Sequence, residues 1–337
     1  MIVDFHVHIL EPRVFEIARD KNVFTGFGTI PPPTLGRGSV MREMTIPEAQ
    51  VERMEKSGID VSVLSSSTVL QGSSWADPAL DLELCRRVND EVAKWTNLYP
   101  KHFVGSFVLP LQDEHASLTE ISRCVDDLGM NVVQLPAHVR GRYLGELDLR
   151  PIWREISARS LVAFMHPEGI ADLWFQRFRL WNSLGQPIEE AKCIASMIYE
   201  GLLDELPNLR IVLAHGGGML PHNMDRLDRN VAHMPDTARN ISRKPSDYLS
   251  SFFFDTCLYD PTIAENLIRR VGVDRVLMGS DFPVGEMDPI GFVDSISGLS
   301  QHERERMKGG LAAELLSLPI VDQNSHGNVA FQPLQGH

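Results

Sequence analysis

Ile2-Val3-Asp4-Phe5-His6-Val7-His8-Ile9 is a short, β-rich run in which two histidines stand two residues apart. A strand points residues i and i+2 to the same side, so both imidazoles face one way near the run's C-terminal end. Comparable runs follow at 61–64, 103–109, 131–135, 161–165, 210–214, 252–255 and 275–278. Amphipathic stretches of helical period separate most of them, at 47–57, 79–99, 116–128, 150–159, 188–205 and 261–271. Such alternation predicts a parallel sheet covered on both faces. Eight repeats favour a closed (β/α)8 TIM barrel over an open, doubly wound sheet. A chain of 337 residues suits one barrel of about 250 residues with insertions.

Two segments break the rhythm. Residues 10–45, with Pro31-Pro32-Pro33, Gly36 and Gly38, are too long and irregular for a simple connection and predict a loop inserted over the barrel mouth after strand 1. Residues 169–187, with Trp174, Phe175, Phe178 and Trp181, predict a lid after strand 5. The single barrel domain is expected over 1–318. Beyond it, the polar stretch 319–337 reads as a loosely held tail or a subunit contact.

Composition narrows the function classes. A formal net charge of −13 argues against a nucleic-acid surface, which needs concentrated Lys and Arg. Four scattered cysteines, Cys85, Cys124, Cys193 and Cys257, form no C-x-x-C pair, so neither a thiolate zinc site nor a disulfide scaffold is expected. A reducing cytoplasm fits. No basic stretch followed by an apolar core opens the sequence and no run approaches roughly 20 apolar residues, so neither a secretory leader nor a membrane span is expected.

The chemistry lies at the ends of the runs. His6 and His8 stand near the end of the first, His166 closes the fifth, His215 the sixth and Asp281 the eighth. Barrel enzymes assemble their active sites on the face where strands end. Imidazoles with one carboxylate suit Zn2+, and also Mn2+ or Fe2+, with a coordination position left for water or substrate. A lone histidine at a strand end is usually structural; five such groups at one barrel mouth point to a metal site. Which of the five bind the ion, and which act beside it, stays open on spacing alone.

Asp4-Phe5-His6-Val7-His8, Met165-His166-Pro167, Ala214-His215-Gly216-Gly217-Gly218 and Gly279-Ser280-Asp281-Phe282-Pro283 resemble the signatures of the amidohydrolase superfamily. Ser67-Thr68-Val69, Trp75-Ala76-Asp77-Pro78, Arg123-Cys124-Val125, Ser196-Met197-Ile198 and Tyr259-Asp260-Pro261 extend the likeness to its branch of nonoxidative decarboxylases, which contains amino-carboxymuconate-semialdehyde decarboxylase. The resemblance implies that His6, His8, His166 and Asp281 ligate the metal, that His215 is an acid/base beside it, and that Asp281 assists. Two-metal relatives carry a bridging carboxylated lysine at the end of strand 4. Here that run reads Val132-Val133-Gln134-Leu135-Pro136-Ala137-His138, so one ion per chain is expected.

The same resemblance directs attention to substrate-binding residues. Arg226 follows His215 by eleven residues, a spacing similar to that of an arginine that reaches a neighbouring subunit's site; the alternative is a helical salt bridge to Asp225 or Asp228. Arg42 is the analogue of a second carboxylate-binding arginine, and Trp181 lies near the position of a substrate-adjacent tryptophan. Glu168, where the family has tryptophan, changes the pocket wall, and His138 is a further candidate for its lining. The expectation is a metal-dependent decarboxylase of a small unsaturated or aromatic carboxylic acid. A metal-dependent hydrolase of an amide or lactone is the alternative. The partners expected are a small carboxylate substrate and further copies of the chain, as a homodimer or larger.

Overall fold

Short runs rich in Val, Ile and Phe form strands because branched and aromatic side chains pack well on a pleated surface covered from both sides. A computed structural model describes residues 1–20, 38–67, 75–167 and 172–319. Eight parallel strands follow one another in chain order: Val3–Ile9, Val61–Ser66, Phe103–Phe107, Val132–Leu135, Val162–Met165, Arg210–Leu213, Phe252–Asp255 and Val276–Leu277. They are called strands 1 to 8 below. The circle closes between the last and the first. Phe5 N donates to Met278 O at 3.0 Å, His8 N to Phe282 O at 2.9 Å and Phe282 N to His6 O at 3.3 Å.

Helices cover the outside, each started by local chemistry. Asp77 caps Pro78–Leu98 by accepting from Ala79 N and Leu80 N, and Asp260 caps Pro261–Val271 through Thr262 N. A side-chain cap of this kind stabilises a helix by about 1 kcal/mol. Pro at the first helical position costs nothing there, because its missing N–H would have no partner in the helix.

The barrel interior divides into two layers. Val3, Phe5, Val61, Val63, Val132, Val162, Phe164, Val212 and Leu277 form an apolar floor. Leu311, Ala312, Leu315 and Leu316, on the helix Leu311–Leu316, plug it from below. Strand 1 changes phase between the layers. Val3 and Phe5 belong to the interior cluster, while Val7 and Ile9 belong to the outer one that faces the helices. An irregularity in pairing with strand 2 between Asp4 and Val7 accounts for it, since one extra residue in a strand re-aims the side chains after it.

The segment 10–45, expected to be loop, carries two helices in its described parts, Pro12–Asp20 and Gly38–Thr45. Its prolines 31–33 and Gly36 lie outside the described residues, as do Thr68, Val69, Glu168, Gly169 and residues 320–337. The expected lid is described from Asp172 onward. It consists of a kinked 3-10 segment, Leu173–Arg179, a π turn, Trp181–Gly185, and the start of the helix Gln186–Tyr199. Among the described residues no helix is long and apolar enough to cross a membrane.

Candidate metal centre at the barrel mouth

The upper layer is polar because each inward series ends in a polar side chain. Ser65 follows Val61 and Val63, Gln134 follows Val132, and His166 follows Val162 and Phe164. The phase change in strand 1 adds His6 and His8 to this layer. All of these groups are buried.

Four imidazoles converge on Asp281. His6 Nε2 and His8 Nε2 lie 3.1 and 2.8 Å from its Oδ1, and His166 Nε2 lies 3.8 Å from the same oxygen. His215 Nε2 stands at the other oxygen, 3.5 Å from Oδ2. Candidate donor atoms of His6, His166, His215 and Asp281 all lie within 4.8 Å of one another. His8 joins them through its contact with Asp281 and through His6, whose Nε2 is 3.2 Å from its own.

The opposite ring nitrogens explain why these Nε2 atoms are donors to a cation. His8 Nδ1 meets Ser66 O at 2.9 Å, and His166 Nδ1 meets Pro167 O at 3.1 Å. A carbonyl oxygen can only accept, so the proton of each neutral ring sits on Nδ1 and the Nε2 lone pair is bare. His6 Nδ1 is engaged by Asp255 Oδ2 at 2.7 Å, and Asp255 Oδ1 accepts from Gly216 N and Cys257 N, both at 3.1 Å. The His6 and His8 Nε2 atoms, 3.2 Å apart beside a carboxylate, crowd one another unless a proton or a metal cation lies between them. That separation is the one expected of two ligands on a single ion with bonds of about 2.0–2.1 Å. The donor set fits a divalent metal ion.

The same crowding governs the charges. Burial disfavours the His6 cation, yet the Asp281 and Asp255 carboxylates outweigh it and raise the pKa to about 9. For His8 and His166 burial wins and the pKa falls. His215 is held well above its ordinary value against burial by Glu190 and Asp281, whereas burial raises Glu190 to about 7. Asp281 is held well below its ordinary value against burial, chiefly by the neighbouring His6 charge. Opposed shifts packed into one cleft mark a functional site.

Backbone geometry aims two of these groups. His215 and Asp281 have left-handed φ values of 48° and 56°, a conformation that costs a non-glycine residue of order 1–3 kcal/mol and recurs at active sites. Behind Asp281, Asp4 accepts from Ser280 N at 2.9 Å and Ser280 Oγ at 2.7 Å, anchoring the turn after strand 8 to strand 1. At the strand 4 position both ends of the Gln134 amide meet the Ser66 backbone. It accepts from Ser66 N at 2.7 Å and donates to Ser66 O at 3.1 Å. Among the described residues one cluster of metal-ligating type is found.

The remaining candidates are not among the donors gathered at Asp281. Arg42 is exposed, with Glu52 3.6 Å away. Arg226 is exposed on the helix Met224–His233. The two acids proposed as its helical partners are engaged by others, Asp225 by Arg270 at 3.0 Å and Asp228 by Ser246 N at 2.8 Å. Trp181 is buried against Phe175, with Leu180, Leu184 and Ile188 around them. His138 opens a two-residue ribbon, paired with Arg142–Tyr143, and its Nε2 is 3.6 Å from Glu189 Oε2.

Sequence reading missed three residues that serve the site. Asp255 ends strand 7 as the histidines end theirs, a signal that was available. Asp4 stands two residues before His6. Glu190, whose Oε1 is 2.5 Å from His215 Nδ1, is an acid on the buried side of a helix, and no spacing rule links it to the mouth.

Comparison with known proteins gives the family and the fold. A family profile described as amidohydrolase matches residues 3–318. The 2-amino-3-carboxymuconate-6-semialdehyde decarboxylase of Dictyostelium discoideum is 30% identical over 330 residues, covering 94% of this chain and 91% of that one. A gamma-resorcylate decarboxylase of a Polaromonas species is 27% identical over 298 residues, covering 82% and 89%. Among solved structures, a dihydroxybenzoic acid decarboxylase from Polaromonas, with bound manganese and the inhibitor 2-nitroresorcinol, superposes with a TM-score of 0.82. It is 23% identical, with 94% of this chain and 97% of that one covered.

Proposed function

This chain belongs to the amidohydrolase family, and from that premise we propose that it is a metal-dependent nonoxidative decarboxylase, a carbon–carbon lyase of a small unsaturated or aromatic carboxylic acid. The observation that carries the reading is the division at Asp281. His6, His8 and His166 face Oδ1, while His215 faces Oδ2. The first three, with Asp281, would hold one divalent ion, and His215 would stand beside it as acid/base. When bound, the ion supplies Lewis acidity that polarises a substrate oxygen. Three imidazoles and a carboxylate suit zinc, our assignment, with iron(II) or the manganese held by the Polaromonas structure as the competing outcomes of a metal analysis.

Decarboxylation exchanges a carboxylate for a proton. The electron pair of the breaking carbon–carbon bond stays on the substrate carbon as CO2 leaves, and that carbon then takes a proton. His215 would deliver it. Its Nδ1 is engaged by Glu190, so Nε2 is the atom that holds and moves the proton, with Asp281 Oδ2 3.5 Å away to stabilise the imidazolium. Negative charge that develops on the substrate is stabilised by the cationic groups fixed in a water-poor mouth.

We assign the substrate carboxylate to Arg42 and Arg226, whose planar donors suit it, and a wall of the pocket to Trp181. Arg226 is exposed on an outer helix. On its spacing from His215, which is similar to that of the family's arginine, we assign it to the mouth of a neighbouring copy, which would make the active assembly at least a homodimer. Four free, buried cysteines fit a reducing cytoplasm. The relatives reported above are decarboxylases, which favours decarboxylation over hydrolysis of an amide or lactone. The test is a screen of unsaturated and hydroxylated aromatic carboxylic acids for CO2 release, run beside ester, lactone and amide cleavage. CO2 release that stops on chelation and returns with zinc is expected. Hydrolysis without CO2 would overturn the reading.

A further inference from the structure

Glu190 enters the mouth from an element that carries none of the proposed metal ligands. It lies on the helix Gln186–Tyr199, is fully buried, and places Oε1 2.5 Å from His215 Nδ1. Its other oxygen, Oε2, is also buried and has no hydrogen-bond partner among the described residues. The loop after strand 6 explains how a carboxylate fits there. Gly218 has φ 63° and ψ −133°, a conformation left to glycine. A Cβ on it would stand 2.6 Å from Glu190 Oε2 and 2.7 Å from Pro187 O. The second contact is with backbone at the start of Glu190's own helix, so a side chain at 218 would have to push that helix turn away.

We propose that Glu190 is the positioning residue of His215, fixing its ring with Nδ1 toward the helix and Nε2 toward the mouth, and that glycine at 218 leaves room for its carboxylate. The inference rests on the acid/base role proposed for His215. A carboxylate on one imidazole nitrogen sets the tautomer and the orientation of the other, as in hydrolytic triads. The pair couples two βα units: the helix after strand 5 sets the working atom of the residue after strand 6.

The test uses the zinc-loaded protein carrying 15N-labelled histidine. Its downfield Nδ1 proton is assigned to His215 by loss of the signal in His215→Gln. Wild type should show that proton. Glu190→Gln, whose amide oxygen still accepts, should retain it at a shifted position, and Glu190→Ala should lose it. On the acid found by the CO2 screen, kcat should fall about tenfold for Gln and roughly 100-fold for Ala, the span seen for groups that orient a working histidine. KM and zinc per chain should hold. An Ala variant that keeps the proton and a kcat within twofold of wild type overturns the proposal, and so does loss of zinc with activity. Gly218→Ala should also remove the signal. Gly298→Ala, at φ 78° with nothing within 4 Å of the added Cβ, should not, which shows that a strained glycine replacement elsewhere leaves the signal intact. Failure to find a decarboxylated substrate would defeat the proposed reaction and leave the proton signal to report on Glu190.

Discussion

The floor and the mouth of this barrel are built by the same eight strands, a few residues apart, and obey opposite rules. In the floor Val3, Phe5, Val63, Phe164 and Leu277 meet the plug helix without a polar atom among their side chains. In the mouth His6, His8, His166, His215 and Asp281 press like groups together, two of them on left-handed backbone. The floor lowers the energy of the fold; the mouth raises it and is held in place by the rest. Separating the two along the strand axis lets loops and mouth residues vary while the floor keeps the barrel closed.

The largest effect should come from breaking the mouth. His215→Ala is expected to lower turnover by roughly 10²–10⁴-fold, the usual contribution of a positioned acid/base, while leaving the metal content near one ion per chain. Elemental analysis beside the rate decides it, and loss of the ion would make His215 a ligand. Leu277→Ala attacks the other region. It should cost about 2–5 kcal/mol in denaturant unfolding, because the cavity is sealed between strands and plug, with kcat per folded molecule retained. A Leu277 variant that unfolds no more easily but loses turnover would erase the distinction between the layers.

Much of this contrast is legible in the chain, and the illegible part has physical causes. Strand positions follow from runs of branched and aromatic residues, and the mouth residues stand out because each polar group ends such a run. The phase change in strand 1 is hidden. Strict alternation would put Val3, Phe5 and Val7 on one face and Asp4, His6 and His8 on the other, and the extra residue depends on pairing with strand 2. The helices in 10–45 were obscured by the prolines and glycines between them. The plug helix has no heptad-like signature in six residues. Glu190 could be found only in three dimensions, because its link to His215 crosses 25 positions and two secondary-structure elements.

A smaller effect sharpens what distinguishes the mouth, because buried charge alone does not make a site. Glu120, with its side chain buried in the helical layer, accepts from Arg123 Nη2 at 2.6 Å, Asn89 Nδ2 at 2.8 Å and Arg86 Nε at 3.3 Å. Burial would raise its pKa, but these donors more than offset it and hold the carboxyl below the ordinary carboxylate value. A depressed folded pKa contributes stability that is fully present above the unfolded value, about 4.3, and is lost as pH falls through the folded one. Glu120→Gln should therefore cost about 1.5–3 kcal/mol at pH 7, the range for a hydrogen bond to a charged group. The gap from wild type should close below about pH 4, with turnover at pH 7 unchanged. Urea unfolding at several pH values reads both quantities. A gap that persists undiminished in acid would mean that Glu120 acts through packing, and its charge would no longer stand as the satisfied counterpart of the crowded charges at the mouth.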